Sequence, residues 1–137
     1  MALPRGIRNN NPLNIRKGEK WQGLREVQSD SQFAQFTSTE MGLRAAFILL
    51  RNYISGFNGR RKPCDTIEKI ISRWAPSVEN ATEAYINHVS VRVGIHRATK
   101  IKFEDRRTMC RLVYAMAEVE TGTKLDPALI DSAYSLV

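Results

Sequence analysis

Residues 105–122 read DRRTMCRLVYAMAEVETG, and this stretch decides the fold. At about 100° per residue of an α-helix, Met109, Val113, Met116 and Ala117 fall within one narrow apolar stripe, which must face a core. The glycine that ends the stretch is a typical C-cap. The spacing therefore predicts a helix over about 105–121 that packs along one face.

One carboxylate lies in that apolar stripe. Glu120 follows Met116 by one turn, whereas Glu118 points to the opposite face, near Arg107 and Arg111, where a solvated, ion-paired side chain is expected. A carboxylate on an apolar helix face is costly unless it is paired or lines a cleft. Burial and the negative end of the helix dipole both favour the protonated form, which a general acid for glycosidic cleavage needs. Glu120 is therefore either such an acid or a side chain that reaches solvent at a frayed helix end.

The rest of the chain predicts a mainly helical domain. Capping and breaking residues indicate further helices over 37–54, 67–74, 80–93 and from 127 onward. Residues 21–36 place apolar side chains on either side of a polar stretch, which indicates a short, irregular β-hairpin. Since neither a repeat nor a linker is visible, we predict one α+β domain over 1–137, mainly α with a small β-hairpin.

Composition excludes several classes of protein. A chain with 42% hydrophobic and 26% charged residues is globular rather than disordered. The longest apolar run, residues 45–50, is far shorter than the roughly 20 residues of a membrane span. The N-terminus lacks the apolar stretch of a secretory signal, so we expect synthesis in the cytoplasm and a separate delivery route to any outside site.

Cysteine and histidine usage indicates neither a metal site nor a cofactor. Cys64 and Cys110 lie far apart, and His88 and His96 stand at spacings that no common zinc site uses. We therefore expect two free thiols, no metal and no cofactor.

The net charge of +7 lies entirely in the first half of the chain. Residues 1–62 carry 11 Lys and Arg against 4 Asp and Glu, whereas residues 63–137 carry 10 of each. Such an imbalance suits a polyanionic partner. A helix-turn-helix protein would place its basic residues along one exposed helix, but here they are spread over loops and helix ends. We therefore expect no specific nucleic-acid partner.

Two segments resemble peptidoglycan-cleaving enzymes. Residues 117–122, AEVETG, resemble the Ala-x-x-Glu-Ser-Gly signature of the lysozyme-like superfamily, in which the Glu that ends a helix is the catalytic acid. Residues 10–16, NNPLNIR, followed by Trp21-x-Gly23, are similar to a segment of the flagellar-type glucosaminidases. In those enzymes the catalytic Glu precedes this segment, whereas here it follows. The resemblance therefore implies a circularly permuted lysozyme-like domain.

Nearly the whole chain resembles a family of phage virion structural and peptidoglycan-lytic proteins. The shared pattern includes RGIRNNNP at residues 5–12, WAP at residues 74–76 and the final Glu-x-Gly. Leu13 departs from a usual Gly, and Val119 and Thr121 replace a common His and Asn. The first departure affects the loop geometry, and the second changes the neighbours of the acid.

The resemblance implies an enzyme that cleaves the glycan strands of peptidoglycan. It indicates a muramidase or lytic transglycosylase of phage or prophage type, with a glucosaminidase also open, and with virion or secretion components as further partners. Such an enzyme acts on the cell wall, in the periplasm, after release, virion delivery or secretion. The alternative is an inactive lysozyme-like module that serves in a virion or baseplate or binds the wall.

The resemblance also implies roles for residues outside the last turn of that helix. Asp30 is the candidate second catalytic carboxylate, a general base holding a water, or else a turn cap. The predicted substrate-binding residues are aromatic rings, amides and one Glu-Asn pair, namely Tyr85, Trp21, Asn11, Asn14, Glu79 and Asn80. Each has a structural alternative, since the rings suit a core, the first two amides suit a turn and the Glu suits a helix cap.

Overall fold

The computed structural model describes residues 3–76 and 79–137, without the side chains of residues 79 and 80. This part of the chain is mainly helical, as predicted. Its helices are α1 (Arg5–Arg8), α2 (Thr39–Gly59), α3 (Ile67–Trp74), α4 (Glu79–Val93), α5 (Arg106–Thr121) and α6 (Pro127–Ser135). None of the described helices is long and apolar enough to cross a membrane.

The predicted starts of three helices are confirmed, and a side chain caps the first turn of each. Thr66, Asp105 and Asp126 each accept a hydrogen bond from a backbone N–H in the first turn of α3, α5 and α6. Gly122 ends α5 in the left-handed conformation, with φ of 69°. The ends of α5 are therefore set by local sequence.

The start of α2 differs from the prediction. Helix α2 begins at Thr39 because Ser38, not Thr37, accepts a hydrogen bond from the first turn. Residues 56–58 within its last turns adopt left-handed backbone angles, so the regular helix ends near the predicted break. The short helix α1 lies in a stretch that the sequence presents as irregular.

In place of the predicted β-hairpin, the described residues form two isolated antiparallel bridges, Arg16–Phe33 and Leu24–Phe36. Buried side-chain amides form hydrogen bonds to the backbone N–H and C=O groups that would pair with each other in a longer pair of strands. The Asn11 side chain donates to two loop carbonyls and accepts one loop N–H, all at 2.9 Å. The segment is therefore a loop held by side chains, and the lysozyme-like arrangement and its permutation stay predictions.

The helices pack around α5. Helix α4 lies against α5, α6 packs on both α5 and α2, and α1 contacts α5. The predicted apolar stripe of Met109, Val113, Met116 and Ala117 is fully buried. Because α1 leads into the N-terminal loop, its contact with α5 brings that loop to the end of α5.

The N-terminal loop also lies directly on α2. A side chain at Gly42 would overlap the carbonyl oxygen of Asn10, so only glycine permits this approach. The loop over residues 9–16 is therefore clamped between α2 and α5.

Candidate functional site

Glu120 lies in the last turn of α5, and its side chain is partly exposed. The helix ends one residue later, where the Thr121 hydroxyl bonds back to the Ala117 carbonyl at 2.7 Å. This end is therefore tightly bonded rather than frayed. Glu120 faces two cavities instead of open solvent.

Three adjoining cavities form what we call the Glu120 groove. A central cavity of 330 Å³ shares Ala75 and Glu120 with a neighbour of 290 Å³, and shares Asn14, Arg16 and Trp74 with another of 180 Å³. The shared lining residues show that the cavities lie side by side. Glu120 therefore lies inside an elongated groove, which suits a polymeric ligand better than a compact one.

Asn14 holds Glu120 from the opposite end of the chain. Its Nδ2 donates to Glu120 Oε1 at 2.9 Å, across 106 residues of sequence. The Asn14 backbone has φ of 53°, a conformation that asparagine tolerates better than most residues. Its Oδ1 is buried and has no hydrogen-bond partner among the described residues. The structure thus places Asn14 beside Glu120, with its amide donating to the carboxyl group, and its role in substrate binding stays a prediction.

Gly6 of α1 makes room for this contact. A Cβ atom at Gly6 would lie 3.0 Å from Thr121 Cγ2 and 3.1 Å from Asn14 Oδ1, closer than ordinary packing permits. The absence of a side chain there lets α1, the N-terminal loop and the end of α5 meet at one point.

Tyr85 reaches Glu120 from α4. The ring is 6% exposed, and its hydroxyl lies 3.5 Å from the Met116 carbonyl oxygen. Burial raises the pKa of the Tyr85 phenol, and the nearby charge of Glu120 raises that pKa further. Tyr85 thus remains neutral, and its burial suits a core residue near Glu120 better than a ring that stacks on a sugar.

Asp30 is engaged in a structural network. Its two oxygens accept from the Arg5 guanidinium at 2.6 and 2.7 Å, from the Asn9 amide at 3.0 Å and from two backbone N–H groups of its own turn. The Arg5 guanidinium, with these further donors, holds the pKa of Asp30 far below its ordinary value. Such a carboxylate is a weak base, so these contacts favour the turn-capping alternative over a catalytic role.

The other predicted substrate-binding residues divide into three cases. Asn11 is fully buried and saturated by the loop, so the turn-forming alternative describes its contacts. Trp21 lines the 180 Å³ cavity, and its buried Nε1 has no partner among the described residues. Glu79 and Asn80 begin α4, but their side chains lie outside the described residues.

Trp74, which from the sequence could stack on a sugar face or belong to the core, completes the groove together with two residues beyond the predicted set. Trp74 donates from Nε1 to the Leu13 carbonyl at 3.0 Å and lines both the central and the 180 Å³ cavity. Arg16 and Phe33, one of the two bridge pairs, line the central cavity. Their sequence signal is weak, because a basic residue and a phenylalanine in a loop are ordinary until tertiary structure brings them beside the acid.

Glu118 is ion-paired, as predicted, but with different partners. It accepts from His88 Nε2 at 2.7 Å and lies 3.2 Å from Arg92 Nε, both on α4. Burial acts to raise the pKa of Glu118, but His88 and Arg92 outweigh it, and the pKa is lowered. This carboxylate fastens α4 to α5 and lines none of the cavities of the groove.

A comparison with known proteins finds a protein of similar sequence. No protein-family model matches it. An alignment of 123 residues at 40% identity covers 87% of this chain and 72% of the relative, which is a bacteriophage protein. That relative is Protein P5 of Pseudoalteromonas phage PM2, and the chain belongs to its family. The predicted association with bacteriophages is therefore confirmed.

Proposed function

We propose that this protein cleaves the glycan strands of peptidoglycan, with Glu120 as the general acid. The observation that carries the proposal is the placement of Glu120 inside an elongated groove, where Asn14 from the N-terminal loop holds its Oε1 at 2.9 Å. A phage must pass the cell wall of its host, and kinship with a phage protein supports this substrate. Delivery in the virion, release from the cell or secretion would bring the domain to the wall.

The Asn14 amide fixes the orientation of the Glu120 carboxyl group in the groove. Asn14 occupies Oε1, so Oε2 is the oxygen that would carry the proton to the glycosidic oxygen.

A mechanism with one carboxylate fits the two cavities that Glu120 lines, whereas Glu19 lies in the 180 Å³ cavity, which Glu120 does not line. Among the described residues, Glu120 is the only carboxylate in the 330 and 290 Å³ cavities. Glu120 protonates the glycosidic oxygen while the acetamide oxygen of the same sugar attacks C1, so that the C1–O bond breaks and an oxazolinium ion forms. The 6-hydroxyl then attacks C1, the acetamide leaves, and the Glu120 carboxylate takes the hydroxyl proton. The product is a 1,6-anhydro sugar, and the protein is a lytic transglycosylase.

Replacing Glu120 by Gln tests the proposal. We expect release of soluble fragments from purified sacculi to fall by at least about a hundredfold, the usual contribution of a general acid. Mass spectrometry of the wild-type digest should show 1,6-anhydro ends, whereas reducing ends would identify a muramidase or a glucosaminidase instead.

Glu118→Gln is the matched control, because it makes the same change on the same helix outside the groove. Its melting temperature is compared with that of the wild type to show that the variant is folded. The folded variant should release fragments at the wild-type rate. The assignment is wrong if Glu120→Gln digests sacculi at the wild-type rate.

An inactive virion or wall-binding module is the second candidate, and membership of a phage protein family favours it. This module would use the same groove to bind glycan without cutting it. Wild-type protein that sediments with sacculi but releases no fragments would establish that function in place of cleavage.

A further inference from the structure

Arg16 places a guanidinium in the Glu120 groove. It lines the central cavity together with Glu120, and it also lines the 180 Å³ cavity. The side chain is exposed, so its charge is available to a ligand in either cavity. Arg16 therefore stands where a substrate passes from one cavity into the next.

The fold holds the Arg16 side chain in place. Arg16 pairs with Phe33 in an antiparallel bridge flanked by the Ala34 to Ile15 and Lys17 to Gln32 backbone hydrogen bonds, both 3.0 Å. This pattern brings opposite side chains close together. The Arg16 guanidinium lies 5.1 Å from the centre of the Phe33 ring, a cation–π contact that pre-orients it.

The Phe33 ring is itself fixed from a second side. The guanidinium of Arg5 lies 4.6 Å from the ring centre and is anchored by its ion pair with Asp30. The hydrogen bonds around Asp30 thereby hold in place the Phe33 ring that the Arg16 guanidinium contacts. A guanidinium held in this way loses little conformational entropy when a ligand binds.

Arg16 differs from the arginines that form ion pairs within the protein. Arg5, Arg97 and Arg106 each contact a carboxylate at 2.6–2.8 Å. Arg16 has no such ion pair to any side chain that the structure describes. A pre-oriented guanidinium without an internal carboxylate, inside a groove, suits a carboxylate from outside.

We propose that Arg16 is a specificity-determining residue that binds a carboxylate of the glycan strand; this inference rests on the proposed function. Alternate sugars of peptidoglycan bear a lactyl group, whose carboxylate is free where no peptide is attached, and the attached peptides supply further carboxylates. Chitin-like strands have the same acetamido sugars but no carboxylate. Arg16 thus selects anionic strands while Glu120 performs the chemistry.

The experiment compares Arg16→Gln with wild type on intact sacculi and on sacculi whose carboxylates have been converted to neutral amides. On intact sacculi we expect the rate of fragment release at low substrate to fall about tenfold, as for loss of a charge-assisted hydrogen bond. On capped sacculi the two proteins should be equal, because the partner of Arg16 is gone. In intact sacculi the lactyl carboxyl is bonded to the peptide as an amide, so a difference there reports carboxylates of the peptide. An amidase removes the peptide and frees the lactyl carboxylate, so a difference on stripped strands shows that Arg16 also binds the lactyl group, and equal rates there confine its partner to the peptide.

Lys17→Gln is the control, because it removes the same charge from the next residue, which is exposed and lines none of the three cavities. It should retain activity on every substrate. Equal rates for Arg16→Gln and wild type on intact sacculi would overturn the inference, as would an equal loss on capped sacculi.

Binding separates this inference from the proposed function. In the Glu120→Gln background, co-sedimentation with sacculi reports recognition without cleavage. Adding Arg16→Gln should weaken that binding about tenfold on intact sacculi and leave it unchanged on capped ones. This result would hold even for a protein that cleaves nothing, and unchanged binding on intact sacculi would refute the role of Arg16 alone.

Discussion

Asn14 meets two demands that few residues satisfy together. Its backbone adopts a left-handed conformation with φ of 53°, which costs most side chains about 1–2 kcal/mol. Its amide also donates to Glu120 Oε1 at 2.9 Å. Glycine meets only the first demand and alanine meets neither. Asn14 is therefore a positioning residue whose two contributions can be separated by substitution.

We expect Asn14→Gly to stay folded but to lose about tenfold in turnover with little change in KM, because Glu120 is no longer held. Asn14→Ala should show the same kinetics and lose about 1 kcal/mol more in free energy of unfolding. Steady-state kinetics and urea titration measure both effects, and wild-type turnover in Asn14→Gly would exclude the positioning role.

At the level of single residues, the sequence predicts the acid better than its surroundings. Glu120 stands out because a carboxylate in an apolar helical stripe violates a periodic pattern. Asn14 is predicted to be in the site, but its bond to Glu120 spans 106 residues and no local rule predicts such a contact. Arg16 gives only a weak signal as the last residue of the segment over 10–16, because its position in the groove depends on the bridge to Phe33.

Among the elements of structure, the starts of three helices with side-chain caps can be predicted from the sequence, whereas the structure of the N-terminal region cannot. Helices α3, α5 and α6 begin after Thr66, Asp105 and Asp126, whose capping bonds are local. Helix α1 has only four residues and no side-chain cap, so its contact with α5 stabilises it instead. The hairpin predicted over residues 21–36 is replaced by two isolated bridges, and buried side-chain amides bond to the neighbouring backbone groups.

The Asp30–Arg5 pair joins the loop that carries Phe33 to α1, and it makes this connection sensitive to acid. The pKa of Asp30 is lowered in the folded protein, chiefly by the Arg5 guanidinium. A lowered folded-state pKa stabilises the fold at pH values above the unfolded pKa of about 3.9. That contribution is lost as the pH falls from there toward the folded value.

Asp30→Asn should therefore unfold at lower urea concentration than wild type at pH 6, and the difference should shrink as the pH falls below about 4. Urea titrations followed by tryptophan fluorescence at several pH values measure this. The same variant should digest sacculi at pH 6 at a rate within a few-fold of wild type, because Asp30 takes no part in the proposed reaction. A hundredfold loss at an unchanged melting temperature would instead restore Asp30 as a catalytic residue.

On the scale of the whole molecule, the two halves of the chain contribute differently to the groove. Residues 1–62 carry the net charge of +7 and supply Asn14, Arg16 and Trp21, whereas the second half is neutral and supplies Glu120. The charge asymmetry is visible in the sequence. The position of these basic residues beside Glu120 cannot be read from the sequence, because it depends on how the N-terminal loop packs against α5.

This distribution predicts that digestion of sacculi depends on salt. The basic half should attract the domain to an anionic wall, and that attraction should weaken as the screening length shrinks from about 10 Å at 0.1 M to about 3 Å at 1 M salt. We expect the wild-type rate on Gram-negative sacculi to fall several-fold over that range, with less change on carboxylate-capped sacculi. Arg16→Gln should keep most of the salt dependence, since the ten other basic residues of the first half remain. A rate that is insensitive to ionic strength, at a constant melting temperature, would mean that the basic half serves a purpose other than attraction to the wall.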